Sequence, residues 1–277
     1  MTKREFVHDL VDNAVTRRKF AKSAMAAGLG LGAVSLAGGA SAQAQGLTDV
    51  DILNFALNLE YLEAEFYTVV TSGLTIDRPP YNIGITGVGT QGPTFGAGRL
   101  DFGGDRLLEQ TALEIAADER AHVQVLRSAL GSAAIAKPTI NFTPGGVNSV
   151  ARFLQVARVL EDVGVSAYGG AAPLIQSRDT LGVAVRIALA EGEHTGNIRL
   201  QLAQRGITDL GPVDALDITA GTPAAPRRRL FSVDAQGLTA VRTPGQVLSI
   251  VFGPGAPAGT TRGLLFPDGV NGTIRSV

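Results

Sequence analysis

The stretch "ALAEGEHTGNIRL" (residues 188–200) sets Glu191 and His194 three residues apart, in line with Ala184, Ile187 and Ile198. That spacing puts all five on one face of an α-helix, and the face is otherwise apolar. A carboxylate turned into a protein interior needs a partner, because burying it unpaired is costly. The partners have to come from elsewhere in the chain.

Three other segments repeat the pattern. In "ERAH" (119–122) Glu119 and His122 lie in the stripe Leu108, Ala112, Ile115 and Leu126. Glu60 lies among Leu53, Ala56, Leu57, Ala64 and Tyr67, with Glu63 beside it. On the same wheel, at about 100° per residue, Asp51, Asn54, Asn58 and Glu65 fall opposite, so Glu65 is expected to face water. Glu161 lies among Leu154, Ala157, Val165 and Tyr168. The chain has three histidines: His8, near its start, and the two in these Glu-x-x-His pairs. There is also an internal repeat: "EYLEAEFY" (60–67) and "EDVGVSAY" (161–168) each place a tyrosine seven residues after a glutamate.

At i,i+3 a glutamate and a histidine project from one face and can reach one ion. A single such pair is ordinarily a surface pair. Two of them in apolar stripes, with two further mid-stripe glutamates, describe four carboxylates meeting in a core, where they repel unless cations separate them. Two divalent ions would offset the four charges. Carboxylate oxygens with imidazole suit iron or manganese; zinc shares these donors, and calcium would not need the histidines.

The order Glu, Glu-x-x-His, Glu, Glu-x-x-His resembles the ferritin-like di-metal carboxylate family over about residues 48–206. The resemblance implies an all-α, ferritin-like four-helix bundle with one long crossover. It implies metal ligation by Glu60, Glu119, His122, Glu161, Glu191 and His194. Glu60 and Glu161 would be single ligands, Glu119 and Glu191 the bridging pair, and His122 and His194 terminal. Glu63, Tyr67 and Tyr168 would stand behind the ligands. The segments "TPGQVLSIVFG" (243–253) and "FPDGVNG" (266–272) are similar to the C-terminal region of the desiccation-related branch of that superfamily.

Helices are expected over 48–72, capped by Thr48 or Asp49, over 104–130, over 147–177 with Asn148 as cap and a kink at Pro173, and over 179–205. The turn before the last of these is short, so the third and fourth helices should be antiparallel neighbours. The second and third helices are joined by about fifteen residues. Their extended reach of about 50 Å exceeds the roughly 39 Å length of a 26-residue helix. Residues 74–103 form a long Gly/Pro-rich loop. It contains "GVGTQG" (87–92), a formal G-x-G-x-x-G without the strand before it and the helix after it that nucleotide binding needs. Residues 207–277 read as an irregular extension wrapping the bundle, with one short helix begun by Thr243 and Pro244. "RRR" (227–229) reads as a solvated charge cluster.

Within 277 residues, 45% hydrophobic and with 48 glycines and prolines, there is material for a core and for long irregular segments. A net charge of −1 gives no basic surplus for nucleic acid. "TRRKFAK" (16–22), the soft apolar run after it and "ASAQAQ" (40–45) read as an export signal over residues 1–44, with Arg17-Arg18 resembling a twin-arginine signal. The competing reading, an uncleaved membrane anchor, calls for a more apolar run. Removing that segment takes six basic and three acidic residues, leaving −1 − 3 = −4. No later segment could span a bilayer. The expected location is therefore the periplasm or the extracellular space, and the chain has no cysteine to exploit an oxidising compartment.

Two functional classes follow. One is a di-iron or di-manganese oxidoreductase acting on Fe(II), O2 or peroxide: a ferroxidase, a peroxidase or a catalase-like enzyme. The other is a non-catalytic stress or desiccation protein in which metal staples the core, or from which metal has been lost. Cysteine nucleophiles are excluded by composition, and both later histidines are committed to the metal pattern. The metal, the reaction and the oligomeric state stay open at this level.

Overall fold

The computed structural model describes residues 46–220 and 229–277; the segment read as an export signal lies outside them. Four long helices carry the fold: α1 (Asp49–Ser72), α2 (Arg106–Leu130), α3 (Val150–Ala171) and α4 (Arg178–Gln204). A short fifth, α5 (Pro244–Val251), lies in the C-terminal extension. None of the described helices is long and apolar enough to cross a membrane.

Local chemistry sets the helix ends. Thr48 forms a reciprocal capping box with Asp51, and Gly73 closes α1 in the left-handed region at φ 78°. Asp105 caps α2 and Ser177 caps α4. For α3 the expected cap, Asn148, is one residue early: the Ser149 hydroxyl accepts from Arg152 N. That helix also ends sooner than expected. Pro173 sits in a 3-10 turn (Ala172–Leu174), since it has no N–H with which to continue the α-helical ladder. Thr243 caps α5 through a second capping box with Gln246, with Pro244 at the first helical position.

The helices associate in two intimate pairs, α1 with α2 and α3 with α4, and the pairs close on each other mainly through α1 against α3 and α2 against α4. Phe66, Tyr67 and Phe153 pack around the α1–α3 contact, Phe66 and Phe153 being stacked at 5.6 Å. The link from α2 to α3 is not a bare tether. Its strand β2 (Ile140–Asn141) pairs in parallel with β1 (Thr94–Phe95) of the glycine-rich loop.

One expectation fails in an informative way. From Ile52 to Thr71 every residue of α1 is buried, including Asn54, Asn58 and Glu65 on the face expected to meet water. The crossover and the extension cover that face. Asn54 bonds Ala133 O and Ile135 N, Asn58 bonds both backbone groups of Asn271, and Glu65 faces Lys137 Nζ at 3.5 Å. The helical wheel gave the angle of each residue correctly. It could not show that irregular chain lies over the other side.

The extension is held by buried arginines. Arg158 and Arg199 are at most 1% exposed. Arg158 bonds Asp209 and Asp217, and Arg199 bonds the Ile218 carbonyl, while both meet Asp162 on α3. Arg242 joins Ser166 on α3 to Asp214.

Candidate metal centre

The mid-stripe residues of the four helices meet at the bundle centre. Glu60, Glu119, Glu161 and Glu191 are each 0% exposed, and His122 and His194 lie at 8% and 6%. They form two groups. Glu60, Glu119, His122 and Glu191 make one; Glu161, Glu191, His194 and Glu119 make the other. Within each group the donor atoms lie within 4.8 Å of one another. Glu119 and Glu191 belong to both. Exchanging α1–α2 for α3–α4 converts one group into the other, the three-dimensional counterpart of the sequence repeat.

The imidazoles point their Nδ1 atoms inward. His122 Nδ1 lies 3.2 Å from Glu60, 3.4 Å from Glu119 and 3.4 Å from Glu191. His194 Nδ1 lies 3.0 Å from Glu119 and 3.3 Å from Glu161. Behind the carboxylates stand the tyrosines, with their partners crossed. Tyr67 of α1 donates to Glu161 of α3, and Tyr168 of α3 donates to Glu60 of α1.

Glu63 lies against Glu191 outside either donor group, in space made by Gly164. A methyl group at Gly164 would come within 2.7 Å of Glu191 Oε2 and 3.2 Å of Glu63 Oε1. Sequence reading passed over Gly164, although glycine inside a helix is a known sign of close approach. It also passed over Asp118, half-exposed, whose carboxylate is 3.3 Å from His194 Nε2. This exposed aspartate joins the outer nitrogen of His194 to the protein surface.

The electrostatics call for cations. Burial, then the charges of Glu119 and Glu161, raises the Glu191 carboxyl well above its usual range. Burial, then Glu191 and the other carboxylates, does the same to Glu63. Burial alone would lower the His194 imidazole, but Glu119 and Glu161 outweigh it and push it up to about 12. Glu60 Oε2, Glu119 Oε1, Glu161 Oε2 and both Glu191 oxygens are buried without a hydrogen-bond partner. Such a set of orphaned acceptors is rare in a native interior and is what metal ligands look like without their ion. Two divalent cations fit these residues in donor type, number and charge.

A curated protein of Nesocodon mauritianus called a ferritin-like catalase is 22% identical over 274 aligned positions, spanning 82% of this chain and 84% of its own. The family model for the ferritin-like domain matches residues 48–204, from the cap of α1 to the end of α4. By fold and by that match, the chain belongs to the ferritin-like domain family.

Proposed function

We propose that this protein binds two redox-active divalent ions, iron or manganese, and disproportionates hydrogen peroxide. The observation that carries this reading is the pair of matched donor groups sharing Glu119 and Glu191. With Glu119 and Glu191 common to both groups, these residues would hold two ions, which would supply the two-electron redox chemistry of such a reaction. The name of the Nesocodon relative favours peroxide over the other oxidants.

In this reading one peroxide is oxidised to O2, losing two electrons and two protons, and a second takes up both and becomes two waters. When bound, the metals supply the change of redox state. The protein does the rest. Tyr67 and Tyr168 hold Glu161 and Glu60 in fixed orientations, and the bundle core excludes bulk water. Glu63 holds a proton on its carboxyl beside Glu191, available to the oxygen that becomes water. The reading also places the protein outside the cytoplasm, on the strength of Arg17-Arg18 and the apolar run after them.

Metal analysis of the purified protein, with O2 evolution from added peroxide, tests the activity. About two ions per chain with turnover, both lost in Glu119→Ala/Glu191→Ala, are the expected result. Bound metal without turnover would leave the ions as a structural staple. Full metal content in the double variant would overturn the centre itself.

A further inference from the structure

The outer face of α4 is apolar and open, whereas the crossover and the extension cover that of α1. Along it Leu189, Val185 and Leu200 are 64%, 43% and 41% exposed. Gly182, Gly192 and Gly196 share the face, which runs about 27 Å from Gly182 to Leu200. On the neighbouring helix, Leu107 and Val125 of α2 are 67% and 43% exposed. They stand eleven residues before and seven after Asp118, hence in line with it on the side that reaches His194 of α4.

The glycines are unexplained by the chain's own packing. Glycine inside a helix lowers its stability relative to alanine and ordinarily answers a close approach. Among the described residues, no atom lies within 4 Å of where a Cβ would stand on Gly182, Gly192 or Gly196. On α3, by contrast, Gly169 and Gly170 are crossed by Val241 and Arg242 of the extension. The room left on α4 is free for something from outside.

The charges on this face identify what fits. Arg186 and Glu193 are both exposed. With Leu189 at zero on the helical wheel, they fall at about 60° and 40° to one side. Val185, Gly192 and Gly196 fall at about 40°, 60° and 20° to the other. Seven residues set the two charges about 10 Å apart along the axis, so they do not pair with each other. A two-fold axis lying in the interface plane, across the helix and midway between them, passes between Leu189 and Ala190. It reverses the helix direction and keeps each side of the face on its own side. Arg186 of one copy then meets Glu193 of the other, twice, and Val185 falls between Gly192 and Gly196 of the other copy. The two Leu189 side chains meet near the axis. A face complementary to itself in both charge and shape is what an isologous contact requires.

We propose that α4 is the interface of a homodimer, with two copies packed antiparallel through Leu189 and joined by reciprocal Arg186–Glu193 ion pairs. The proposal is independent of the metal chemistry.

Sedimentation equilibrium on the metal-loaded, full-length protein tests it. A reversible dimer with micromolar or tighter affinity is expected. Leu189→Lys should abolish it. Arg186→Glu and Glu193→Arg should each weaken self-association about tenfold or more, because each sets like charges against each other. An equimolar mixture of these two variants restores both ion pairs in the heterodimer, and its affinity should return to near the wild-type value. All three positions are exposed, so circular dichroism should find the helices intact. A wild-type monomer at about 100 μM, a dimer unchanged by Leu189→Lys, or a mixture no stronger than either variant alone would each overturn the proposal.

Discussion

Tyr67 on α1 donates its hydroxyl hydrogen bond to Glu161 on α3, not to the glutamate seven residues before it on its own helix. The reciprocal bond from Tyr168 to Glu60 makes the two repeats interlock. Each tyrosine fixes a ligand carried by the other half, so a donor group is complete only when both halves are docked.

Removing either hydroxyl should therefore weaken metal binding without unfolding the bundle. Tyr67→Phe and Tyr168→Phe are each expected to lower affinity about 10–100-fold, the range for groups that orient metal ligands. The near-symmetry predicts similar losses. Competition with a chelator of known affinity measures both.

Gly164 and Glu63 occupy corresponding positions in the two repeats, three residues after Glu161 and Glu60. Where one half adds a carboxyl, the other deletes a side chain to make room for it. Gly164→Ala puts a methyl group against the Glu191 carboxylate, a contact that cannot be kept at 2.7 Å. Metal content measured by mass spectrometry should fall, while helicity by circular dichroism stays close to wild type.

Metal loading should release protons. With its value near 12, the His194 imidazole is charged at neutral pH in the metal-free protein. A cation binding at Nδ1 has to displace that proton, so apparent affinity rises with pH. Calorimetry in two buffers of different ionisation enthalpy reads the proton count directly. A heat of binding identical in both buffers, after dilution correction, would contradict this arrangement of charges.

The extension is strapped down by Arg242 and Asp214. Hydrogen bonds from the Arg242 guanidinium hold the Asp214 carboxyl below its ordinary value. A depressed carboxyl contributes stability above its unfolded value, about 3.9, and loses it as the pH falls through its lower folded value. Asp214→Asn should cost about 1.5 kcal/mol at pH 7 and progressively less below about pH 4. Thermal melts of both proteins across that range measure the difference.

Asp162 is the counter-charge for two buried arginines, Arg158 and Arg199. Arg158 keeps Asp209 and Asp217 if it is removed, whereas Arg199 loses its ion-pair partner. Asp162→Ala should destabilise the protein by about 3–5 kcal/mol, the usual cost of leaving a buried charge uncompensated. Chemical denaturation with a helical signal measures it.

The bundle and its inward face were legible in the linear sequence because both rest on local periodicity. Helical spacing places Glu119 with His122, and Glu191 with His194, whatever the rest of the chain does. Caps and glycines mark most of the helix ends to within a few residues; the end of α3, six residues earlier than expected, is the exception. Tertiary structure alone decided the rest: that Tyr67 reaches across to Glu161, that Gly164 yields its space to Glu63, and that Glu65 is buried beside Lys137 and not exposed to water. These relations join residues dozens of positions apart. They depend on which irregular segment lies over which helix face, and no repeat of 3.6 residues carries that information.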